Sequence, residues 1–359
     1  MCVEKYSSLT LRDEAAYTSG SGGIPLTNRE RVLASLDHRQ PDRVPYHIRF
    51  TEPARAAMAA FYGDPHFESR LGNCLHILRT EPAGSWREVR PDTWADQFGV
   101  QWDRSVDKDI GNVCNVLVTP ENLRGFRFPD PRDPSRFSDH AALIASTPDL
   151  FHVTDIGFSL YERAWTLAGM ENVLMAMVEN PGFVDELLNR ITEFNLALIQ
   201  QACSLPIDAM MFGDDWGQQR GLLMGPAAWR RFIKPRVSRM YAAVKARGKR
   251  VFIHSCGKVD ELFPELIECG LDVFNPFQPE VIDVYEAKRQ YGDRLSFYGG
   301  ISTQKTLPYG TTNDVKDEVR RLLATIGAGG GYIASPAHDV PRDAKPENVA
   351  AMVDALQNQ

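Results

Sequence analysis

The fold is decided by one stretch, RVFIHSCGKVDELFPELIECGLDVFN, residues 250–275. Its first apolar run, residues 250–254, is short and rich in β-branched and aromatic side chains, which predicts a strand. A helical pattern follows over 259–268, Gly270 stands where a left-handed cap would end it, and the run 272–275 resumes the strand pattern. Strand, helix and strand with short links imply parallel strands joined by a right-handed crossover.

The same unit recurs on both sides. Strands are expected at 151–156, 209–212, 295–298 and 332–335, and helices at 172–205, 226–247, 281–291, 313–326 and 346–356. Gly248, Gly292 and Gly327 stand at helix ends as Gly270 does. Adding two earlier strands near 46–50 and 74–78 brings the count towards eight, which points to a (β/α)8 barrel of the TIM type. No dinucleotide glycine fingerprint follows an early strand, which speaks against an open doubly wound sheet.

Other segments fit around this frame. Thr27 to Glu30 reads as a helix cap ahead of Val32, Leu33 and Leu36. Trp86, Trp94, Phe98 and Trp102, followed by Pro120, Pro129, Pro131 and Pro134, suggest that 85–135 is a set of inserted hairpins and loops. Residues 1–25, with Thr-Ser-Gly-Ser-Gly-Gly near their end, read as a flexible arm, and 26–359 as a single domain.

Composition narrows the function. Hydrophobic residues at 43% and charged residues at 24% describe a globular chain with a sizeable core. A net charge of -7 offers no basic field for a nucleic-acid backbone. No run approaches the ~18 apolar residues of a membrane span, and the N-terminus lacks an apolar signal core, so a soluble cytoplasmic protein is expected. Six cysteines in 359 residues are too sparse for a disulfide scaffold and read as thiols or metal ligands.

In a barrel, reactive groups gather where strands end. His254 and Cys256, two apart at a strand end, point to one side, and a nitrogen beside a sulfur suits zinc. A buried His next to a buried Cys is the plainer reading of the same pair. His338, closing the last strand, offers a third ligand or a proton donor. Asp214 and Asp215, in Gly213-Asp-Asp-Trp-Gly217, are candidates to orient a ligand or move a proton, against ordinary turn chemistry. Asp155 ends another strand, and Tyr161-Glu162-Arg163 follows it, either as substrate contacts or as exposed ion pairs. Trp165 and Met170 are candidate pocket walls.

From Thr27 onward the chain resembles the uroporphyrinogen decarboxylase superfamily, most closely the branch that includes corrinoid-system methyltransferases. The resemblance rests on Asn28-Arg-Glu-Arg-Val-Leu, Pro41-Asp-Arg-Val-Pro45, Gly213-Asp-Asp-Trp-Gly217, His254-Ser-Cys-Gly257, Tyr298-Gly-Gly-Ile301, Ala334-Ser-Pro-Ala-His338 and Pro346-Glu-Asn348. It implies one barrel with its site in the C-terminal cleft. The decarboxylases carry Met-Arg-Gln-Ala-Gly-Arg after the first strand; here Arg49 matches the first arginine and Pro53 replaces the second, with Glu52 adding negative charge.

The methyltransferase branch implies zinc on a His-x-Cys pair and a late Cys. His254 and Cys256 match, and His338 stands in the third position. The implied function is zinc-dependent methyl transfer between a small substrate or thiol and a corrinoid supplied in trans by a partner protein. Asp214, Asp215 and Asp155 are the expected catalytic or orienting acids, and Arg49, Glu162, Arg163, Trp216 and Tyr298 the expected substrate contacts. A homodimer is also implied. Two alternatives stay open: a metal-free lyase using His338 and an Asp with Arg49 and Arg163 on a carboxylate, or a barrel that only binds a corrinoid or tetrapyrrole.

Overall fold

In a computed structural model, which describes residues 25–359, all six apolar runs of the second half are strands of one sheet. In chain order the strands are β1 (Leu75–Arg79), β2 (Arg87–Arg90), β3 (Thr93–Ala95), β4 (Gln101–Asp103), β5 (Asn112–Val113), β6 (Phe151–Ile156) and β7 (Ala209–Gly213). There follow β8 (Gly217–Gln218), β9 (Gly221–Leu222), β10 (Arg250–His254), β11 (Val273–Phe277), β12 (Ser296–Ile301) and β13 (Tyr332–Pro336). The main sheet has seven strands in the order β1-β6-β7-β10-β11-β12-β13. Parallel strands covered on both faces need unbroken apolar runs, and β11, β12 and β13 are buried at every residue.

The eighth position belongs to residues 46–50, which follow an extended path held by single bridges, Tyr46 to Ala334 and Phe50 to Val340, both parallel. On its other side the Cys74 N–H donates to the Tyr46 carbonyl at 2.9 Å and the Asn73 side chain exchanges bonds with Ile48. Pro45, which has no N–H, opens this segment, and side-chain bonds stand in for part of the ladder. A (β/α)8 barrel results.

Two compact units arise within the chain. One comprises the chain up to His76, Asp149–Phe151 and Pro276–Gln359; the other comprises Ile77–Pro148 and His152–Asn275. In the second unit, Asp155 of β6 pairs with Met211, Gly213 of β7 with His254, and His254 of β10 with Asn275. In the first unit, Gly300 of β12 pairs with Ser335 and Ile301 with Pro336.

The segment 85–135 contains the antiparallel sheet β2-β3-β4-β5, as its alternating aromatics suggested. The single helix expected over 172–205 is two, Met170–Glu179 and Pro181–Ala202. Pro181 excludes the preceding residue from helical geometry, and Asn180 (φ -141°, ψ 64°) caps the second helix by accepting the Phe183 N–H. Tyr161-Glu162-Arg163 opens a helix of eight residues, Tyr161–Ala168. Of the four glycine stops, Gly248 and Gly270 have positive φ; Gly292, at -67°, continues the right-handed turn. The arm expected over 1–25 lies almost wholly outside the described residues. Among the described residues, no helix is long and apolar enough to cross a membrane.

Candidate metal centre

β10 ends at His254, whose side chain remains 26% exposed. Its Nδ1 lies 2.6 Å from Asn275 Oδ1 on the neighbouring strand. With an oxygen acceptor there, the proton sits on Nδ1 and Nε2 carries the lone pair. That Nε2 faces Cys256 Sγ at 3.4 Å. A tetrahedral zinc with bonds of about 2.0–2.1 Å to nitrogen and 2.3 Å to sulfur holds such atoms roughly 3.5 Å apart, so the pair is spaced as two zinc ligands are. The same separation serves an S–H···N contact in metal-free protein, which makes metal content the deciding measurement. An imidazole nitrogen and a thiolate are a borderline-soft pair, so His254 and Cys256 fit zinc.

The turn carrying Cys256 is built by the loop after β7. Asp215 Oδ1 accepts the Cys256 N–H at 2.7 Å and lies 4.0 Å from His254 Nε2. The Asp214 N–H donates to the His254 carbonyl, the Trp216 N–H to Ser255 Oγ, and the Lys258 N–H to the Gln218 carbonyl. The two backbones touch: a Cβ on Gly257 would sit 2.4 Å from the Gly217 carbonyl carbon, and one on Gly217 would sit 2.6 Å from the Cys256 oxygen. Neither position has room for a side chain.

The adjacent acids divide their work. Asp214 is fully buried. Its Oδ1 accepts the Leu160 and Glu162 N–H groups at 3.1 and 2.8 Å, and its Oδ2 accepts the Trp216 indole N–H. Burial raises its pKa to about 6 even against these bonds. Asp214 therefore shapes the helix start at Tyr161, while Asp215 keeps an exposed oxygen edge at the site. Trp216, expected to touch substrate, is instead fully buried, edge-on to Trp229 at 5.5 Å.

Glu162 and Arg163 do not pair with each other. The Arg163 guanidinium donates to Asp96 Oδ2 at 2.7 Å, both side chains at most 4% exposed, and lies 4.2 Å over the Phe98 ring. That arginine is committed to the inserted sheet and is closed to a substrate carboxylate. Burial, then the charges of Asp215 and Asp214, push the Glu162 carboxyl well above the usual range. Asp155 sits at the end of β6, half-buried, its carbonyl accepting both the N–H and the hydroxyl of Thr80. Trp165 and Met170 line a surface cavity of about 620 Å³ with Trp102, Val113 and Cys114.

In the other unit, His338 is exposed two residues past the end of β13. Arg49 pairs with Asp339 at 3.3 Å. The Tyr298 hydroxyl lies 2.5 Å from His47 Nδ1, and burial, reinforced by Arg49, lowers the His47 pKa to about 3. The sequence reading missed Asn275 and Asp96. Asn275 had a signal, an amide at the end of an apolar strand; Asp96, 67 residues before Arg163, had none.

The uroporphyrinogen decarboxylase (URO-D) family model matches residues 95–359. Uroporphyrinogen decarboxylase of Methylococcus capsulatus is 25% identical over 211 residues, 56% of this chain and 58% of that enzyme. Its counterpart in Coxiella burnetii is 24% identical over 280 residues, 74% of each chain. Methylcobamide:CoM methyltransferase of Methanosarcina barkeri is 29% identical over 133 residues, 37% of each chain. The chain thus spans little more than half of the Methylococcus enzyme and just over a third of the Methanosarcina one. A solved methyltransferase from Methanosarcina mazei has the same fold, with a TM-score of 0.70 at 18% identity over 92% of this chain and 98% of that one. With three quarters of its length matched by the family model, the chain belongs to the uroporphyrinogen decarboxylase (URO-D) family.

Proposed function

We propose that this enzyme is a zinc-dependent methyltransferase that moves a methyl group between a small substrate or thiol and a corrinoid carried by a partner protein. The observation that carries the reading is the 3.4 Å spacing of His254 Nε2 and Cys256 Sγ, with Nδ1 backed by Asn275. His254, Cys256 and His338 would hold the metal. Bound zinc supplies Lewis acidity and lowers the pKa of a bound thiol or the cost of a leaving group.

The chain's own residues do the rest. Asn275 fixes the His254 tautomer, and Asp215 fixes the Cys256 turn through its main-chain N–H. Asp155 and Asp215 stand at strand ends as the acids available to substrate, and His338 doubles as a proton carrier when no metal holds it. Arg49, whose charge Asp339 neutralises, is a substrate contact, while Tyr298 is buried with its hydroxyl on His47. A polycarboxylate porphyrinogen would find Arg163 engaged by Asp96, Pro53 in place of the second arginine, and Arg55 engaged by Glu52 and Glu68.

The names of the Methylococcus and Coxiella relatives favour a second reading, a metal-free carboxy-lyase using His338 and Arg49. Elemental analysis separates the two. Near one zinc per chain, lost in His254→Ala and Cys256→Ser, together with demethylation of free methylcobalamin followed by absorbance, supports methyl transfer. Protein that takes up no zinc and releases carbon dioxide from uroporphyrinogen refutes it.

A further inference from the structure

The inserted sheet and the helices after β6 surround the cavity of about 620 Å³, none of whose walls belongs to the metal centre. β5 and the extended residues that follow it supply one wall, with Val113, Cys114 and Val116. Trp165 and Met170 supply another. They come from separate helices joined at Gly169, whose φ of 89° is one that a side chain rarely allows, and a Cβ there would lie 3.0 Å from the Asn172 amide nitrogen. That elbow brings both side chains to one cavity. Trp102 of β4 is the buried wall, 2% exposed, with its ring 5.0 Å from Phe158 and 5.9 Å from Trp86.

The walls define what fits. None of the ten lining residues is acidic or basic, so a charged ligand would shed its water there with nothing to replace it. Arg90 donates to Cys114 Sγ at 3.6 Å and to Thr93 Oγ1 at 3.0 Å, and stands outside the walls. Two indoles and a thioether are broad, polarisable surfaces that hold aromatic rings by stacking and sulfur contact. The Trp102 indole N–H is buried and meets no acceptor among the described residues, although buried indole N–H groups ordinarily find one. The volume falls within the roughly 300–1,000 Å³ of small-molecule sites. We infer that this cavity is a binding site for an uncharged aromatic molecule of two or three rings carrying a hydrogen-bond-accepting oxygen. Its rings lie against Trp102, Trp165 and Met170, and its oxygen answers an unmet donor, the Trp102 N–H or the exposed Asn112 amide. The site does not depend on zinc, since the two share no residue.

The test is calorimetric titration of the full chain with two probes. Coumarin has two fused rings and a carbonyl acceptor; coumarin-3-carboxylate has the same rings and one negative charge. Coumarin should bind one molecule per chain, and the carboxylate about 10-fold more weakly. Position is read at Cys114, whose exposed thiol lines the cavity. Saturating coumarin should slow its alkylation by iodoacetamide several-fold, followed by peptide mass spectrometry, and leave the rate at Cys269 unchanged. Met170→Lys, at a residue 38% exposed, puts a charge into the wall and should weaken coumarin about 10-fold with little change in melting temperature. Trp165→Ala should weaken it similarly; should that variant not fold, Met170→Lys decides. No saturable binding, equal affinity for the two probes, an unprotected Cys114 or wild-type affinity in Met170→Lys would each overturn the proposal.

Discussion

Two histidines on strands that flank β7 show how the two ends of a parallel sheet differ. His152, at the start of β6, is 2% exposed. Its Nε2 meets Thr147 Oγ1 at 3.0 Å, its main-chain N–H donates to Asp208 Oδ2, and its Nδ1 lies 3.9 Å from that oxygen. His254, at the end of β10, is half-buried and backed by an amide, with its second nitrogen turned to a thiol. The residue type is the same and the strands lie one apart. At the N-terminal end, loops close over the ring and use it as a bridge. At the C-terminal end, the loops stop short and leave the imidazole partly exposed.

The comparison breaks most sharply at the metal. His254→Ala should take zinc from about one equivalent to almost none by elemental analysis, with little change in melting temperature. Zinc retained in that variant would mean that the open end of β10 is as structural as the start of β6. Arg163 sharpens the contrast from the other side, since it stands at the chemical end and is sealed. Arg163→Ala, which strands Asp96 in the core, should cost about 3–5 kcal/mol in urea unfolding, while Arg163→Met with Asp96→Leu restores much of it. His152→Ala should cost about 1–3 kcal/mol and leave zinc content unchanged.

A further effect is one of pH. The folded His47 pKa, about 3, lies below its ordinary 6.5, so its share of stability is complete above 6.5 and drains away as pH falls towards 3. Melting curves should show a shallower loss across that window in His47→Asn than in wild type. A slope unchanged by the substitution would mean that acid sensitivity arises elsewhere.

Much of this was legible before any coordinates. Strands with both faces buried leave unbroken apolar runs, so six were readable directly. The segment at 46–50 was readable as extended, although its ladder is only two bridges. His254 and Cys256 share a strand end, and their spacing marked them as a candidate pair. Partnerships across the chain were not readable. Asn275 lies 21 residues from His254, Asp215 lies 41 from Cys256, and Asp96 lies 67 from Arg163. Nothing local distinguishes Asp214 from Asp215, yet a rotation of one residue about the chain buries the first and exposes the second. The same blindness made Trp216 look like a substrate contact when it packs against Trp229.

The contact between Gly217 and Gly257 carries a consequence for how such enzymes diversify. Each turn is the mould for the other, with no side chain between them as a spacer. A change of length in one turn must be matched in the other, which makes a stepwise path through single insertions impassable. Variation in what the enzyme accepts is therefore channelled to loops that end free of this seam, and grafts from relatives at this corner should transfer both turns as one cassette.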